Sequence, residues 1–369
     1  MRAHSIVFFV LLWGTGLGQT AEPFRFPEGK HGKGELKYRN GVPVLVLAGT
    51  PEEIGTQMGV LAVKPVPGVV QVFQKVLKQH KLDLVKPLLV KFGEAQLAKY
   101  PADYRREFEA MAKASGVDRD LLVIGNTFNE LRHLAGCSGL VIDPRRSRTG
   151  DTLYGRNFDF PPIEGLHAFS LVIVYRPQGK RAFTVVSFPG GVASGCLMSA
   201  MNADGLAIGG NYIGASADKA PQVEWKNLPS PVLARRIMEE CATLKEAEKL
   251  IRASKPGERH ALVACDRSGG AVFEITPKTV AVRCAKGGIC AGTNHFLSRE
   301  LGVSTDCRRL TTLTQAARMD KLGVDDVAKK MHEANQGAWT AHTLVFEAGP
   351  LKLHIAFGDG KISATRFPL

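Results

Sequence analysis

The chain has 369 residues, 44% of them hydrophobic and 22% charged, enough for one large folded domain or two ordinary ones. Seven cysteines are too few for a disulfide-scaffolded fold, and after the first residues no segment is long and apolar enough to be a membrane helix. The net charge of +13 is scattered over pairs such as Arg105-Arg106, Arg145-Arg146, Arg235-Arg236 and Arg308-Arg309, without a nucleic-acid recognition signature, so attraction to anionic surfaces is the safer implication and no nucleic-acid partner is expected.

In chain order, Arg2 precedes an apolar run from Ile6 to Trp13 and the small residues Gly14 to Gly18. This predicts a secretory signal cleaved near Gly18 or Ala21, and a secreted or periplasmic protein. The run is too short to anchor in a bilayer. A polar lead-in covers Glu22 to Gly41, and Val44 to Ala48 reads as a strand. Thr50-Pro51-Glu52-Glu53 opens a helix, with Thr50 as N-cap and Glu53 closing a capping box. Helical runs follow at Gln71 to His80, Pro87 to Tyr100, Ala102 to Ser115 and Asp120 to Leu134. From Ser138 the texture changes to strands. They are expected at Leu140 to Ile142, Thr152 to Arg156, Phe169 to Tyr175, Ala182 to Phe188, Leu206 to Tyr212, Ala261 to Asp266, Ala271 to Ile275 and Val280 to Arg283. Turns are expected at Gly179, Ser268-Gly269-Gly270 and Asp359-Gly360. Helices interrupt after Ser230-Pro231 and at Val324 to Ala334. Strand runs with helices inserted in blocks indicate an antiparallel α+β fold.

Between the helical and strand-rich parts lies Gly136-Cys137-Ser138. A buried cysteine is more often a small hydrophobe than a nucleophile. Here, however, it would open a strand just after a glycine. A break before Cys137 would give one residue both a thiol and a freed α-amine to activate it. Such an amine has a pKa of roughly 7.7–8.0, well placed for proton transfer at neutral pH. The odd cysteine total also leaves at least one thiol unpaired or bonded to another molecule. No Cys/His spacing resembles a zinc site, so neither a metal nor a cofactor is expected.

Four later elements carry candidate chemistry. In Tyr154-Gly155-Arg156-Asn157-Phe158-Asp159-Phe160, strand alternation puts Arg156 and Phe158 on one face and Asn157 and Asp159 on the other. An Asp beside an amine could orient it, and an Arg could depress a thiol pKa. Asn202 to Gly205 is a turn, and Asn211 ends the next strand, where its amide could donate to an oxyanion. Asn294, in Gly292-Thr293-Asn294-His295-Phe296, is a second such donor, and His295 a candidate base. Ser304 to Leu310 reads as the start of a helix bearing Arg308 and Arg309.

Taken in order, "GTPEEIGTQMG" (Gly49 to Gly59), "NELRHLAGCSGLVI" (Asn129 to Ile142), "GRNFDF", "MNADGLAIGGNY" and "TNHF" resemble the N-terminal-nucleophile hydrolases of the isopenicillin-N acyltransferase-like cysteine peptidase group, related to choloylglycine hydrolases, penicillin V acylases and acid ceramidase. The resemblance covers most of the mature chain. It implies an αββα sandwich of two antiparallel sheets with an N-terminal helical pro-segment. Residues 1–21 would be the signal, 22–136 the pro-segment and 137–369 the catalytic part, the last two packing as one unit and staying associated after self-cleavage between Gly136 and Cys137. By resemblance Cys137 is the nucleophile, Asp159 orients the amine, Arg156 is the site arginine, and Asn294 and Asn211 form the oxyanion hole. The pattern places a last arginine shortly before Thr340, where this chain has Asn335-Gln336-Gly337-Ala338; Arg308 is the nearest substitute. The implied activity is hydrolysis or acyl transfer at non-peptide N-acyl amides through a thioester on Cys137. The rival readings are a papain-like protease using Cys137 and His295, and a secreted basic binding protein with an uncleaved site.

Overall fold

The computed structural model describes residues 23–79, 81–127, 136–161, 163–358 and 367–368. The expected signal segment, the end of the helix expected to reach Leu134 and the Asp359-Gly360 turn lie outside these residues. Strands form two sheets. The larger runs β1 (Gly29–His31), β2 (Gly34–Arg39), β3 (Val42–Gly49), β6 (Leu171–Pro177), β7 (Phe183–Ser187), β8 (Ala200–Asn202), β9 (Ala207–Tyr212), β10 (His260–Asp266), β11 (Gly269–Ile275) and β12 (Val280–Cys284). The smaller runs β13 (Ile289–Gly292), β4 (Ser138–Ile142), β5 (Leu153–Asp159), β14 (Thr340–Glu347), β15 (Lys352–Phe357) and β16 (Phe367–Pro368). The helices are α1 (Pro51–Met58), α2 (Pro67–Gln79), α3 (Lys86–Leu97), α4 (Ala102–Ser115), α5 (Arg119–Thr127), α6 (Ser194–Met198), α7 (Ser230–Glu240), α8 (Leu244–Ala253), α9 (Arg308–Thr314) and α10 (Val324–Glu333).

Alternation along the strands sorts their side chains into three cores. Leu45, Leu47 and Ile173 face outward from the large sheet onto Phe108 of α4 and Leu233 and Ile237 of α7. Val44, Val172 and Val263 face Val141, Leu344 and Phe346 between the sheets. Leu140, Leu153 and Val345 leave the small sheet on its far side and meet Leu313 of α9 and Val327 and Met331 of α10. The order is helix, sheet, sheet, helix, which makes the fold an αββα sandwich.

Two details depart from the expected outline. One pair in the large sheet, β3 with β6, is parallel. Between these strands the chain passes through α1 to α5 and through β4 and β5, the long crossover that a parallel pair requires. In addition, the lead-in folds as β1 and β2, so the segment before Cys137 supplies three strands as well as helices. Its alternation is short and diluted by lysines, but Leu36 is fully buried and Phe26 docks its amide on the Tyr38 hydroxyl at 2.9 Å. The capping box forms as its spacing implies: Thr50 Oγ1 accepts from the Glu53 amide and Glu53 Oε2 accepts from the Thr50 amide. All seven thiols are free; Cys284 is exposed on β12, and Cys290 is buried on β13. No single helix among the described residues is long and apolar enough to cross a membrane.

Candidate active site

Cys137 lies one residue ahead of β4 and is buried. β4 sits between β13 and β5, in register Ser138↔Asn157 and Gly139↔Arg156. The Gly136 amide donates to the Asp159 carbonyl at 2.8 Å, so the ends of the two strands meet at the Gly136–Cys137 peptide.

Arg156 leaves β5 on the face between the sheets and is fully buried. Its guanidinium donates to the Met198 carbonyl at 3.1 Å, to the Gly210 carbonyl at 2.7 Å and to Asn211 Oδ1. Gly209 makes room for it: a Cβ there would lie 2.7 Å from Arg156 Nε and 2.4 Å from Tyr154 Oη. Asn211, buried on β9, donates in turn to the Thr293 carbonyl at 3.0 Å. Arg156 and Asn211 therefore lock the two sheets together beneath Cys137 and fix the loop that carries Asn294. Asn294 donates to the Tyr212 carbonyl at 2.8 Å.

Asp159 is on the opposite face, as alternation predicts. It is fully buried and accepts from Thr340 Oγ1 at 2.6 Å and from Gln336 Nε2 at 3.1 Å. Burial pushes its carboxyl above the usual range, opposed by Thr340, Gln336 and then Arg309. Burial likewise pushes the Cys137 thiol up; Arg156 pulls it down and the Asp159 charge opposes ionisation. Burial thus favours the protonated thiol, while the neighbouring cations favour its thiolate.

The sequence reading puts the last arginine at Arg308. In the structure Arg308 is exposed and donates to the Glu333 carbonyl at 3.4 Å. Its neighbour Arg309 enters the site. Arg309 Nη1 donates to the Gly136 carbonyl at 2.6 Å and the Cys137 carbonyl at 2.7 Å, Nη2 donates to Asn294 Oδ1 at 2.8 Å, and Asp159 Oδ2 is 3.7 Å away. Helix geometry explains the shift. One residue turns an α-helix by about 100°, and Arg309 shares its face with the fully buried Leu313, four residues on. The stretch expected to hold an arginine shortly before Thr340, Asn335 to Ala338, includes Gln336, whose Nε2 donates to the Gly136 carbonyl at 2.7 Å. In sequence Gln336 and Thr340 are only a gap and its landmark; in the structure each turns inward on Asp159. His295 pairs with Thr293 Oγ1 at 3.4 Å, and the charges acting most strongly on Cys137 are Arg156, Asp159 and Arg309. The contacts around Cys137 thus supply carboxylate and guanidinium, the wrong partners for a Cys–His dyad.

Cys137 belongs to an apolar cluster with Val72, Phe158, Phe160, Leu166 and Ala341. That cluster borders a cavity of about 120 Å³, walled by Phe158, Phe160 and Met198 on one side and by Val69, Val76 and Leu121 of α2 and α5 on the other. The site therefore pairs a charged, hydrogen-bonded edge with an apolar chamber.

No curated protein matches the chain by sequence. Among solved structures, it is similar to a mutant of conjugated bile acid hydrolase from Clostridium perfringens, with 11% identity, a TM-score of 0.45, and coverage of 63% of this chain and 92% of that one. Penicillin V acylase from Agrobacterium tumefaciens gives 13% identity, a TM-score of 0.45, and coverage of 60% and 83%. The Caenorhabditis elegans ortholog of N-acylethanolamine-hydrolyzing acid amidase gives 15% identity, a TM-score of 0.43, and coverage of 58% and 93%. The sequence profile of one family matches residues 146–361, a span that starts downstream of Cys137 and carries Arg156, Asp159, Asn211, Asn294, Arg309 and Gln336; the chain belongs to the acyl-coenzyme A:6-aminopenicillanic acid acyl-transferase family.

Proposed function

We propose that this chain is a self-cleaving thiol enzyme that transfers or hydrolyses the acyl group of linear N-acyl amides. The observation that carries this reading is the position of Cys137. It opens a strand behind a glycine, lies among Arg156, Asp159 and Arg309, and shares an apolar cluster with the cavity walls.

The chemistry follows from these parts. Cleavage before Cys137 frees an α-amine beside the thiol, which takes the thiol proton as the sulfur attacks. Asp159, held by Thr340 and Gln336, lies where it can orient that amine, because the Asp159 carbonyl already anchors Gly136. The substrate's acyl chain would occupy the apolar cavity. Its carbonyl oxygen would face the Asn294 and Asn211 side of the site as negative charge develops. The amine product leaves, and water or a second amine takes the acyl group from the thioester. Export through the N-terminal signal and continued association of the 22–136 and 137–369 fragments complete the reading.

The test combines processing and turnover. Mature wild-type protein is expected to run as two bands on a denaturing gel, and N-terminal sequencing of the larger fragment should begin at Cys137. Cys137→Ala should stay intact and inactive against a panel of N-acyl amino acids, bile-acid conjugates, ceramides and penicillins. An intact, active wild type, or activity retained in Cys137→Ala, would sink the proposal.

A further inference from the structure

The Gly136 carbonyl oxygen has more donors than a strand-end carbonyl needs. Gln336 Nε2 reaches it at 2.7 Å and Arg309 Nη1 at 2.6 Å. The donors come from different elements: Arg309 from the first turn of α9, Gln336 from the turn that follows α10. Each is held independently of Gly136. Arg309 is pinned through Asn294 Oδ1. The Gln336 backbone amide donates to Thr340 Oγ1 at 2.9 Å, and its side chain also bonds Asp159. The glycine is what admits the glutamine, since a Cβ on residue 136 would lie 2.0 Å from Gln336 Nε2.

We infer that Gln336 and Arg309 form the oxyanion site for cleavage of the Gly136–Cys137 peptide, a role that rests on the self-cleavage proposed above. The Cys137 sulfur adds to the Gly136 carbonyl carbon; a C–S bond forms, and the carbonyl electron pair moves onto the oxygen between the two donors. Collapse of this adduct breaks the C–N bond, and the proton lost by the thiol ends on the Cys137 nitrogen. The product is a thioester joining Gly136 to Cys137. Water adds to it, the C–S bond breaks, and a proton returns to the sulfur as the Gly136 carboxylate is released. Both donors stand in place before charge develops, the arrangement that stabilises an oxyanion most. Gln336 brings a neutral N–H to a position where a second guanidinium would compete with Arg309 for Asp159.

The experiment times cleavage of the full-length chain during cell-free synthesis, using a labelled pulse and a denaturing gel. Gln336→Met, which keeps the volume and removes the donor, should lengthen the cleavage half-time about 10²–10³-fold, the loss expected for one oxyanion donor. Gln336→Ala should do the same, and Gly136→Ala should also slow cleavage by pushing Gln336 away. Melting temperatures near wild type show that each variant is folded. A structural role alone would lower melting temperature and leave the half-time of folded chain unchanged. Wild-type half-times in folded Gln336→Met and Gln336→Ala overturn the inference while leaving self-cleavage standing. A folded wild type that never cleaves, or a Cys137→Ala chain that does, overturns self-cleavage and this inference with it.

Discussion

At the scale of single residues, Arg308 and Arg309 separate a surface charge from a site charge. Arg309→Ala removes the cation that contacts the Gly136 and Cys137 carbonyls and Asn294, and is expected to slow cleavage and turnover at least about 10²-fold. Arg308→Ala removes one long bond at the surface and should change stability by about 0.5 kcal/mol or less, with normal processing. The comparison is read on gels and in turnover assays, and equal behaviour of the two variants would refute it. The pair is visible in the sequence; its direction is not, because the helix register has to be known before Leu313 can identify the inward face. Gln336 is hidden for a different reason. A neutral amide carries no chemical signature until its donors meet a carbonyl 200 residues earlier. Buried His342 supplies a pH dependence. Burial, with Arg156 nearby, holds its imidazole neutral, well below the ordinary range, while Ser199 bonds its Nε2 at 3.0 Å. Below about pH 6.5 the unfolded chain binds a proton that the folded chain refuses, so stability is full above that pH and falls as the pH drops, by at most about 1.4 kcal/mol per unit. Melting temperature should therefore decline between about pH 7 and pH 5, and His342→Gln should flatten that decline. An equal decline in both proteins would assign the effect to other groups.

At the scale of elements, the segment before Cys137 is fastened to the rest by a buried ion network. Arg235 of α7 donates to both carboxylate oxygens of Glu107 on α4, at 2.9 and 2.6 Å, and to Glu239 at 2.8 Å. Tyr104 of α4 covers the guanidinium face, its ring centre 4.2 Å away. If the chain is cut at Gly136–Cys137, this network joins two polypeptides. Glu107→Ala leaves a buried guanidinium short of a partner and should cost about 3–5 kcal/mol in denaturant unfolding. Arg236→Ala, which breaks only the exposed pair with Glu240, should cost about 0.5 kcal/mol or less. Similar losses for both would mean the network does not hold α4 to α7. In sequence, Arg235-Arg236 looks like one more surface pair; only α4, more than a hundred residues earlier, supplies the partner that lets Arg235 be buried. The strands show the same limit. Apolar runs such as β10 are legible although buried on both faces, whereas β14, almost equally buried, mixes Thr340, His342, Thr343 and Glu347 with its apolar residues and does not stand out as a strand. The parallel β3–β6 contact is invisible locally, since it pairs segments separated by the whole helical block.

At the scale of the whole molecule, the apolar cavity belongs to neither side of the Gly136–Cys137 peptide alone. Val69, Val76 and Leu121 come from before it, while Phe158, Phe160 and Met198 come from after it. The segment before Cys137 therefore supplies a wall of the proposed acyl site, and selectivity for acyl length should respond to substitutions far from the proposed nucleophile in sequence. Val76 is the clearest probe: it lies on α2, is buried, and faces the cavity. Val76→Phe would take up much of the space that a long acyl chain needs and none of the space around Cys137. In correctly cleaved protein, kcat/KM for long N-acyl substrates should fall by at least about 10-fold, in line with the value of one or two methylenes in a hydrophobic pocket, while short acyl groups retain their rates. The loss should sit in KM, because the reacting atoms are untouched. Overpacking a core position costs about 1–3 kcal/mol, so a melting curve must accompany the kinetics. A folded, cleaved Val76→Phe enzyme with an unchanged profile of acyl length would show that the acyl chain lies elsewhere, and the cavity would then be a packing defect between α2 and the strand ends instead of a substrate site.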